Sequence, residues 1–219
     1  MGNDSPFNRK STTPVVLGIA GGSGSGKSTI VDGLMNSKAG AFIAVLKHDD
    51  YYRNLADMPD AIRASHNWDH PESIDNDLFV KHLLELKRGH HIESPQYDFS
   101  THRRAASTLV IAPKPIIIVE GILILAIPTI CDLIDWRIFL EASSDERVLR
   151  RIMRDTKDRG RTLESVVTQY RATTRLMHDQ WIEPSRDHAH FIIPTQHDKH
   201  LNKTCEFIES FLLEKLRHE

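Results

Sequence analysis

The 219-residue sequence predicts an α/β chain in which a parallel β-sheet is flanked by helices on both faces. Two observations predict it. Near-continuous apolar strand patterns at about 15–20, 41–46, 116–120, 137–141 and 190–193 alternate with helical patterns. The first strand, Val15-Val16-Leu17-Gly18-Ile19-Ala20, runs straight into a glycine-rich stretch and then into a segment that can wind as a helix from about Lys27.

That stretch, Gly21-Gly22-Ser23-Gly24-Ser25-Gly26-Lys27-Ser28-Thr29, fits the phosphate-binding spacing G-x-x-x-x-G-K-[ST] from Gly21 to Ser28. Glycines let successive backbone N–H groups converge on an anion, and the following helix N-terminus receives phosphate. Lys27 can reach the β- and γ-phosphates, and Ser28 can ligate Mg²⁺.

The helices follow in order. Asp75 is a plausible N-cap for a helix carrying Leu78, Phe79, Leu83 and Leu86 on one face, with Gly89 where it should stop. Ser143 with Glu146 reads as a capping box, followed by an apolar face of Val148, Leu149, Ile152 and Met153. A second stripe is Leu163, Val166, Val167, Tyr170, Thr174 and Met177, and a third is Leu201, Cys205, Ile208, Leu212 and Leu216. All three stripes are expected to build core. Residues 1–13 are polar apart from one aromatic and read as a flexible tail, leaving 14–219 as a single domain. The segment from about 88 to 115, with Pro95, Pro113 and Pro115, reads as a β-rich insertion beside the phosphate loop, where a second substrate would be gripped.

Composition narrows the function classes. Charged residues are 26% and apolar ones 40%, an ordinary globular balance. With 28 Lys+Arg against 30 Asp+Glu the formal charge is −2, so there is no general field to attract nucleic acid or an anionic membrane. Cys131 and Cys205 are far apart and outside any C-x-x-C spacing, which reads as free thiols in a reducing cytoplasm. The apolar stretch from Ile116 to Ile130 is broken by Glu120, Gly121 and Pro128 and is too short to span a bilayer, and the N-terminus has no hydrophobic signal core. The 13 histidines lack metal-ligand spacing.

Five further groups carry chemistry. His48-Asp49-Asp50-Tyr51-Tyr52-Arg53 follows the second strand, so Asp49 emerges in the ligand crevice, where a carboxylate can accept the proton of an attacking hydroxyl and help hold Mg²⁺. Glu120 ends the strand Ile116-Ile117-Ile118-Val119 and is badly placed for burial unless it meets a cation, which fits a metal-organising acid. Arg147, Arg150, Arg151, Arg154, Arg159 and Arg161 concentrate positive charge in a slightly acidic chain, and a lid over about 150–170 would bring cations to a transferring phosphoryl group. Asn67-Trp68-Asp69-His70-Pro71 and Tyr97-Asp98-Phe99-Ser100-Thr101-His102-Arg103 combine aromatics that can stack on a base with groups that can bind a ribose diol.

Taken together these stretches, with Glu120-Gly121-Ile122-Leu123, Arg154-Asp155-Thr156-Lys157-Asp158-Arg159-Gly160-Arg161, Gln169-Tyr170 and Ile182-Glu183-Pro184-Ser185, make the chain resemble the uridine kinase (uridine–cytidine kinase) family from about Val15 to Pro194. The resemblance implies a P-loop NTPase fold with a small β-rich nucleoside-binding insertion and a helical lid. It implies transfer of a phosphoryl group from ATP or GTP to the 5′-hydroxyl of uridine and cytidine with Mg²⁺, giving UMP and CMP. By the same resemblance Asp49 is the catalytic base; Asp69, Arg151 and Gln169 hold the nucleoside; Tyr52, Tyr97 and Phe99 surround the base; and His102 contacts its 4-position. Lys27, Ser28 and Glu120 serve phosphate and metal, and Arg154, Arg159 and Arg161 belong to the lid. Family membership further implies a homo-oligomer, commonly a tetramer, with pyrimidine triphosphates as feedback inhibitors.

The chain departs from the family at Trp68, usually Phe or Tyr; at His190, which replaces an acid; and after Pro194, where Thr195-Gln196-His197-Asp198 stands for an Arg-Gly-Gly run. Rival readings are a phosphoribulokinase-like or pantothenate kinase-like enzyme, which has no need of an aromatic base pocket, and a nucleotide-gated switch, which would want an N-K-x-D base reader where Asn202-Lys203-Thr204-Cys205 stands.

Overall fold

A computed structural model describes residues 13–55, 66–99 and 101–218. The expected tail therefore lies outside the described residues except for Thr13, and so does Ser100. The chain runs β1 (Val15–Ala20), α1 (Lys27–Met35), β2 (Ile43–Lys47), α2 (Asn76–Lys87), β3 (Ile92–Ser94), β4 (Tyr97–Asp98), β5 (Arg103–Arg104), β6 (Leu109–Ile111), β7 (Ile116–Glu120), α3 (Pro128–Cys131), β8 (Trp136–Glu141), α4 (Ser144–Lys157), α5 (Leu163–Gln169), β9 (Phe191–Pro194) and α6 (Asp198–His218).

β2, β7, β1, β8 and β9 pair in that order, every pair parallel. Their side chains alternate between two cores. Val16, Ala20, Ile117, Val119 and Phe139 face one core with Phe79, Leu83 and Leu86 of α2. Leu17, Ile19, Ile116, Ile118, Ile138 and Leu140 face the other with Ile30, Val31 and Leu34 of α1 and Leu201, Ile208 and Leu212 of α6. Burial on both faces explains why these strands read as continuous apolar runs. The five carboxyl ends consequently share one edge, where an open α/β sheet binds its ligand.

Three strand starts shift from those expected: those of β2, of β9 and of β8, which begins one residue early at Trp136. β2 starts at Ile43 because Lys38–Phe42 winds as a 3₁₀ turn, capped where the Ala39 N–H donates to Ser37 Oγ at 3.2 Å. β9 starts at Phe191, one residue late. α2 has its expected ends: the Leu78 N–H donates to Asp75 Oδ1, and Gly89 at φ 83 lets the His90 N–H reach back to the Glu85 carbonyl. Between α2 and β7 lie two small antiparallel pairs, β3 with β6 and β4 with β5.

Helix α4 corrects the expected core assignment. Leu149 is 57% and Met153 70% exposed, while Arg147, Arg151 and Asp155 are the buried residues of that helix. Its inner face meets the phosphate loop and other charged groups rather than apolar side chains. The capping box also does not form: Ser143 makes no side-chain cap bond, and Glu146 instead pairs with Arg150 at 2.8 Å. Beyond α5 the helical path continues through π-turns at Tyr170–Thr174 and His178–Ile182 to Ser185. Leu163, at the start of α5, is exposed while Val166 is buried; beyond it each π-turn adds a residue per turn and shifts the inner face, on which Thr174, Met177, His178 and Ile182 are buried. Among the described residues no helix is long and apolar enough to cross a membrane.

Two buried imidazoles link this packing to pH. His48 Nε2–H donates to Asn76 Oδ1 at 2.9 Å and its ring meets Phe79 edge-on, and burial pushes its pKa down to about 4. His178 is pushed to the same value by burial, with the Arg147 cation adding to it. Below about pH 6.5 the unfolded chain takes up these protons while the fold refuses them until about pH 4, so each histidine withdraws stability as pH falls through that window. Burial raises Glu120 to about 7 and Asp50 to about 6, which acts in the opposite sense. The test is therefore a difference: relative to wild type, His48→Gln should gain about 2 kcal/mol between pH 7 and pH 5 in urea unfolding. A difference that does not change with pH would mean that His48 is not held neutral.

Candidate active site

The phosphate loop is built from the end of β1. Gly26 sits at φ 97 as the N-cap of α1, a left-handed conformation that favours glycine. The loop closes on itself where the Ser25 N–H donates to the Gly22 carbonyl at 3.0 Å. It is also pinned from β9, since the Thr195 hydroxyl donates to the Ser25 carbonyl at 2.7 Å. A Cβ on Gly22 would strike the Arg147 guanidinium, so the loop and α4 pack as one unit. Lys27 is buried, and its ammonium donates to the Gly21 and Gly22 carbonyls at 2.9 and 3.1 Å. The first N–H groups of α1, including those of Ser28 and Thr29, have no partner within the helix and can serve an anion.

Two acids face this lysine. Asp49 lies in a 3₁₀ turn directly after β2, and its Oδ1 is buried with no hydrogen-bond partner among the described residues. Glu120 ends β7 in register with Lys47 of β2 and Ile19 of β1, which brings it beside the loop. Burial raises the Glu120 carboxyl to about 7, opposed by Lys27 and aided by Asp49. Burial lowers Lys27, opposed first by Glu120 and then by Asp49. A buried carboxylate oxygen without a donor and a second acid held above its ordinary range are what a divalent cation would relieve, so Ser28, Asp49 and Glu120 fit Mg²⁺. Among the described residues no three His, Cys, Asp or Glu side chains form a metal cage. Mg²⁺ usually draws its other ligands from phosphates and water.

The opposite wall is aromatic. Tyr52 and Tyr97 lie 4.9 Å apart between centroids, with Phe99 5.2 Å from Tyr97. Trp68 lies 5.6 Å edge-on to Tyr52 and stacks on His102 at 5.1 Å and 10° between planes. His102 adopts φ 54, uncommon for a residue with a Cβ, and its Nδ1 lies 3.5 Å from the Tyr97 hydroxyl. Beside this wall Asp69 is buried, accepts from the Thr174 hydroxyl at 2.8 Å and faces Arg151 at 3.9 Å.

Arginines close the cleft. Arg151 and Arg161 both donate to Gln169 Oε1, Arg154 donates to Ser23 Oγ at 3.4 Å, and Arg159 covers the Phe99 ring at 3.8 Å. All four contact Asp155, which is fully buried.

The result is one cleft, open to solvent, shared by the phosphate loop, the aromatic wall and the arginines. Ser23, Lys27, Ser28, Asp49, Tyr52, Asp69, Tyr97, Phe99, His102, Glu120, Arg151, Arg154, Arg159, Arg161 and Gln169 all line it. Gly21, Gly22, Gly24, Ser25, Gly26 and Thr29 belong to the loop but contribute no side chain to that lining. Sequence reasoning missed Ile122, which also lines the cleft, together with Thr174 and Asp155. An acid among six arginines was the available signal for Asp155. His190 lies just before β9, at the sheet end opposite the loop, where its N–H donates to the Arg137 carbonyl at 2.8 Å. That replacement is thus remote from the cleft, whereas Thr195 and Gln196 follow the carboxyl end of β9.

Comparison with known proteins agrees with this geometry. The model of the Phosphoribulokinase / Uridine kinase family matches residues 16–202. A uridine kinase from Bacillus cereus (strain G9842) is 44% identical over 188 residues, 86% of this chain and 89% of the relative. A uridine kinase from Staphylococcus epidermidis (strain ATCC 12228 / FDA PCI 1200) is 45% identical over 179 residues, 82% and 86% of the two chains. The solved phosphoribulokinase from Rhodobacter spheroides superposes with a TM-score of 0.61 at 15% identity over 83% of this chain and 69% of that one, a likeness of fold. The chain belongs to the phosphoribulokinase/uridine kinase family and is a kinase with the P-loop fold.

Proposed function

We propose that this kinase transfers the γ-phosphoryl group of ATP to the 5′-hydroxyl of uridine and of cytidine, giving UMP and CMP. The observation that carries the reading is the position of Asp49, whose charge acts both on Lys27 in the phosphate half of the cleft and on Tyr52 in the aromatic half. A hydroxyl presented from the aromatic half meets the phosphoryl group beside that carboxylate. The relatives named uridine kinase support the same substrate.

In this reading the nucleoside base lies among Tyr52, Tyr97, Phe99 and His102, and Asp69 accepts hydrogen bonds from the ribose diol. Thr174 and Arg151 hold the Asp69 carboxylate in place. Asp49 accepts the proton of the 5′-hydroxyl as its oxygen attacks phosphorus and the bond to the β-phosphate oxygen breaks. Lys27, Arg154, Arg159 and Arg161 meet the charge that shifts to the leaving oxygens, in a cleft where such charges act strongly. Ser28, Asp49 and Glu120 would hold Mg²⁺, which when bound would help to neutralise that charge. A phosphoribulokinase-like substrate has no base to fill the aromatic wall.

Two outcomes test the reading. Asp49→Asn should leave uridine binding by calorimetry nearly intact and cut turnover by about 10²–10⁴. Near-normal turnover would remove Asp49 from the role of base.

A second set concerns the base. A His102 ring nitrogen can accept from the cytosine amine or, in the other tautomer, donate to the uracil 4-oxo group, so uridine and cytidine kcat/KM values should agree within about tenfold. His102→Asn, which tolerates the positive φ, should change that ratio with little change in the KM of ATP. Equal losses for both nucleosides with a large rise in the ATP KM would put His102 on the donor side.

A further inference from the structure

Asp155 has a geometry that neither general-base catalysis nor substrate contact requires. Its side chain is fully buried, and the two carboxylate oxygens divide four arginines between them. Oδ1 lies 2.8 Å from Arg154 Nη2 and 3.3 Å from Arg159 Nη1. Oδ2 lies 3.6 Å from Arg151 Nε and 3.6 Å from Arg161 Nη1. Of the first pair, Arg154 reaches Ser23 of the phosphate loop, whereas Arg159 covers the Phe99 ring of the aromatic wall. Of the second pair, Arg151 faces Asp69 on the nucleoside side, and Arg161 shares Gln169 with it. The backbone repeats the pattern: the Asp155 carbonyl accepts from the Arg161 N–H at 3.0 Å, and Gly160 at φ 62 turns the chain back over the acid.

Four guanidinium groups gathered around one cleft repel one another, and in a buried site that repulsion is poorly screened. A single carboxylate at their centre offsets it: Arg154 Nε donates to Oδ1 at 2.9 Å, and the other three arginines are held to the acid by charge. Moving any one of them shifts the balance felt by the other three.

Resting on the proposed reading of the cleft, we propose that Asp155 is a positioning residue that ties the phosphate-side and nucleoside-side arginines into one unit, so that filling one half of the cleft organises the other. The experiment measures the Kd of uridine by calorimetry with and without a non-hydrolysable Mg·ATP analogue, together with kcat and both KM values. Wild type should bind uridine at least about fivefold more tightly in the presence of the analogue. In Asp155→Asn that ratio should fall to near one and kcat should drop by about 10²-fold, the size of effect that a misplacement of about 1 Å can cause. Asp158→Asn, an exposed acid in the same segment, should keep the wild-type ratio. If Asp155→Asn does not fold, Asp155→Glu keeps the charge and displaces the oxygens by one methylene, and its ratio should also fall to near one.

A wild-type ratio in whichever variant folds overturns the inference, as does a lowered melting temperature with ratio and kcat retained. A wild-type protein that forms no UMP from uridine and ATP overturns the reading of the cleft and this inference with it. UMP formation by wild type with coupling undiminished in the variant overturns the inference alone.

Discussion

The buried charge of Lys27 is the constraint on which the site depends. An ammonium removed from water is costly unless partners replace its hydration. Two loop carbonyls do so at 2.9 and 3.1 Å, and Glu120 and Asp49 supply the opposite charge. Each of these partners comes from the carboxyl end of a different parallel strand. The order β2-β7-β1 sets Asp49, Glu120 and the loop side by side. A strand order that carried β2 and β7 away from β1 would leave the lysine and the acids apart. The balance is also incomplete, because Asp49 retains a buried oxygen with no donor among the described residues and burial raises the Glu120 pKa to about 7. A polyphosphate with its counter-cation would complete it.

The same requirement explains why α4 is turned against its apolar pattern. Arg147 lies against Gly22 and His178, Arg151 against Asp69 and Gln169, and both are buried. Exposing Leu149 and Met153 forgoes about 1.5–3 kcal/mol for each side chain left in water. Leaving an arginine or Asp155 buried without its partners would cost more, about 3–5 kcal/mol for a broken buried pair. The larger penalty decides which face turns inward.

This also marks how far the sequence could be read. The five strands were legible because burial on both faces leaves runs such as Ile116-Ile117-Ile118-Val119, whose period needs no distant information. The loop was legible because its glycines and Lys27 are contiguous, and the aromatic wall because family resemblance joined Tyr52, Trp68 and Tyr97. The orientation of α4 was not legible, since helical spacing weighs residues of one segment only. Its partners Gly22, Asp69, Gln169 and His178 lie elsewhere in the chain. The π-turns at Tyr170–Thr174 and His178–Ile182 were hidden for a related reason, as they depend on what the inner face meets.

The replacement after Pro194 can be followed to the same physical end. A glycine-rich run at the carboxyl end of β9 would offer backbone groups to a nucleotide. Here the chain is instead tied down on three sides: the Thr195 hydroxyl donates to the Ser25 carbonyl, Arg150 donates to the Thr195 carbonyl at 2.9 Å, and Gln196 donates to Ser143 Oγ at 2.7 Å. These bonds connect the end of β9, the phosphate loop and the N-terminal half of the charged helix α4. The segment thus contributes to the stiffness of the phosphate-binding backbone, which loses less conformational freedom on binding because it is already ordered.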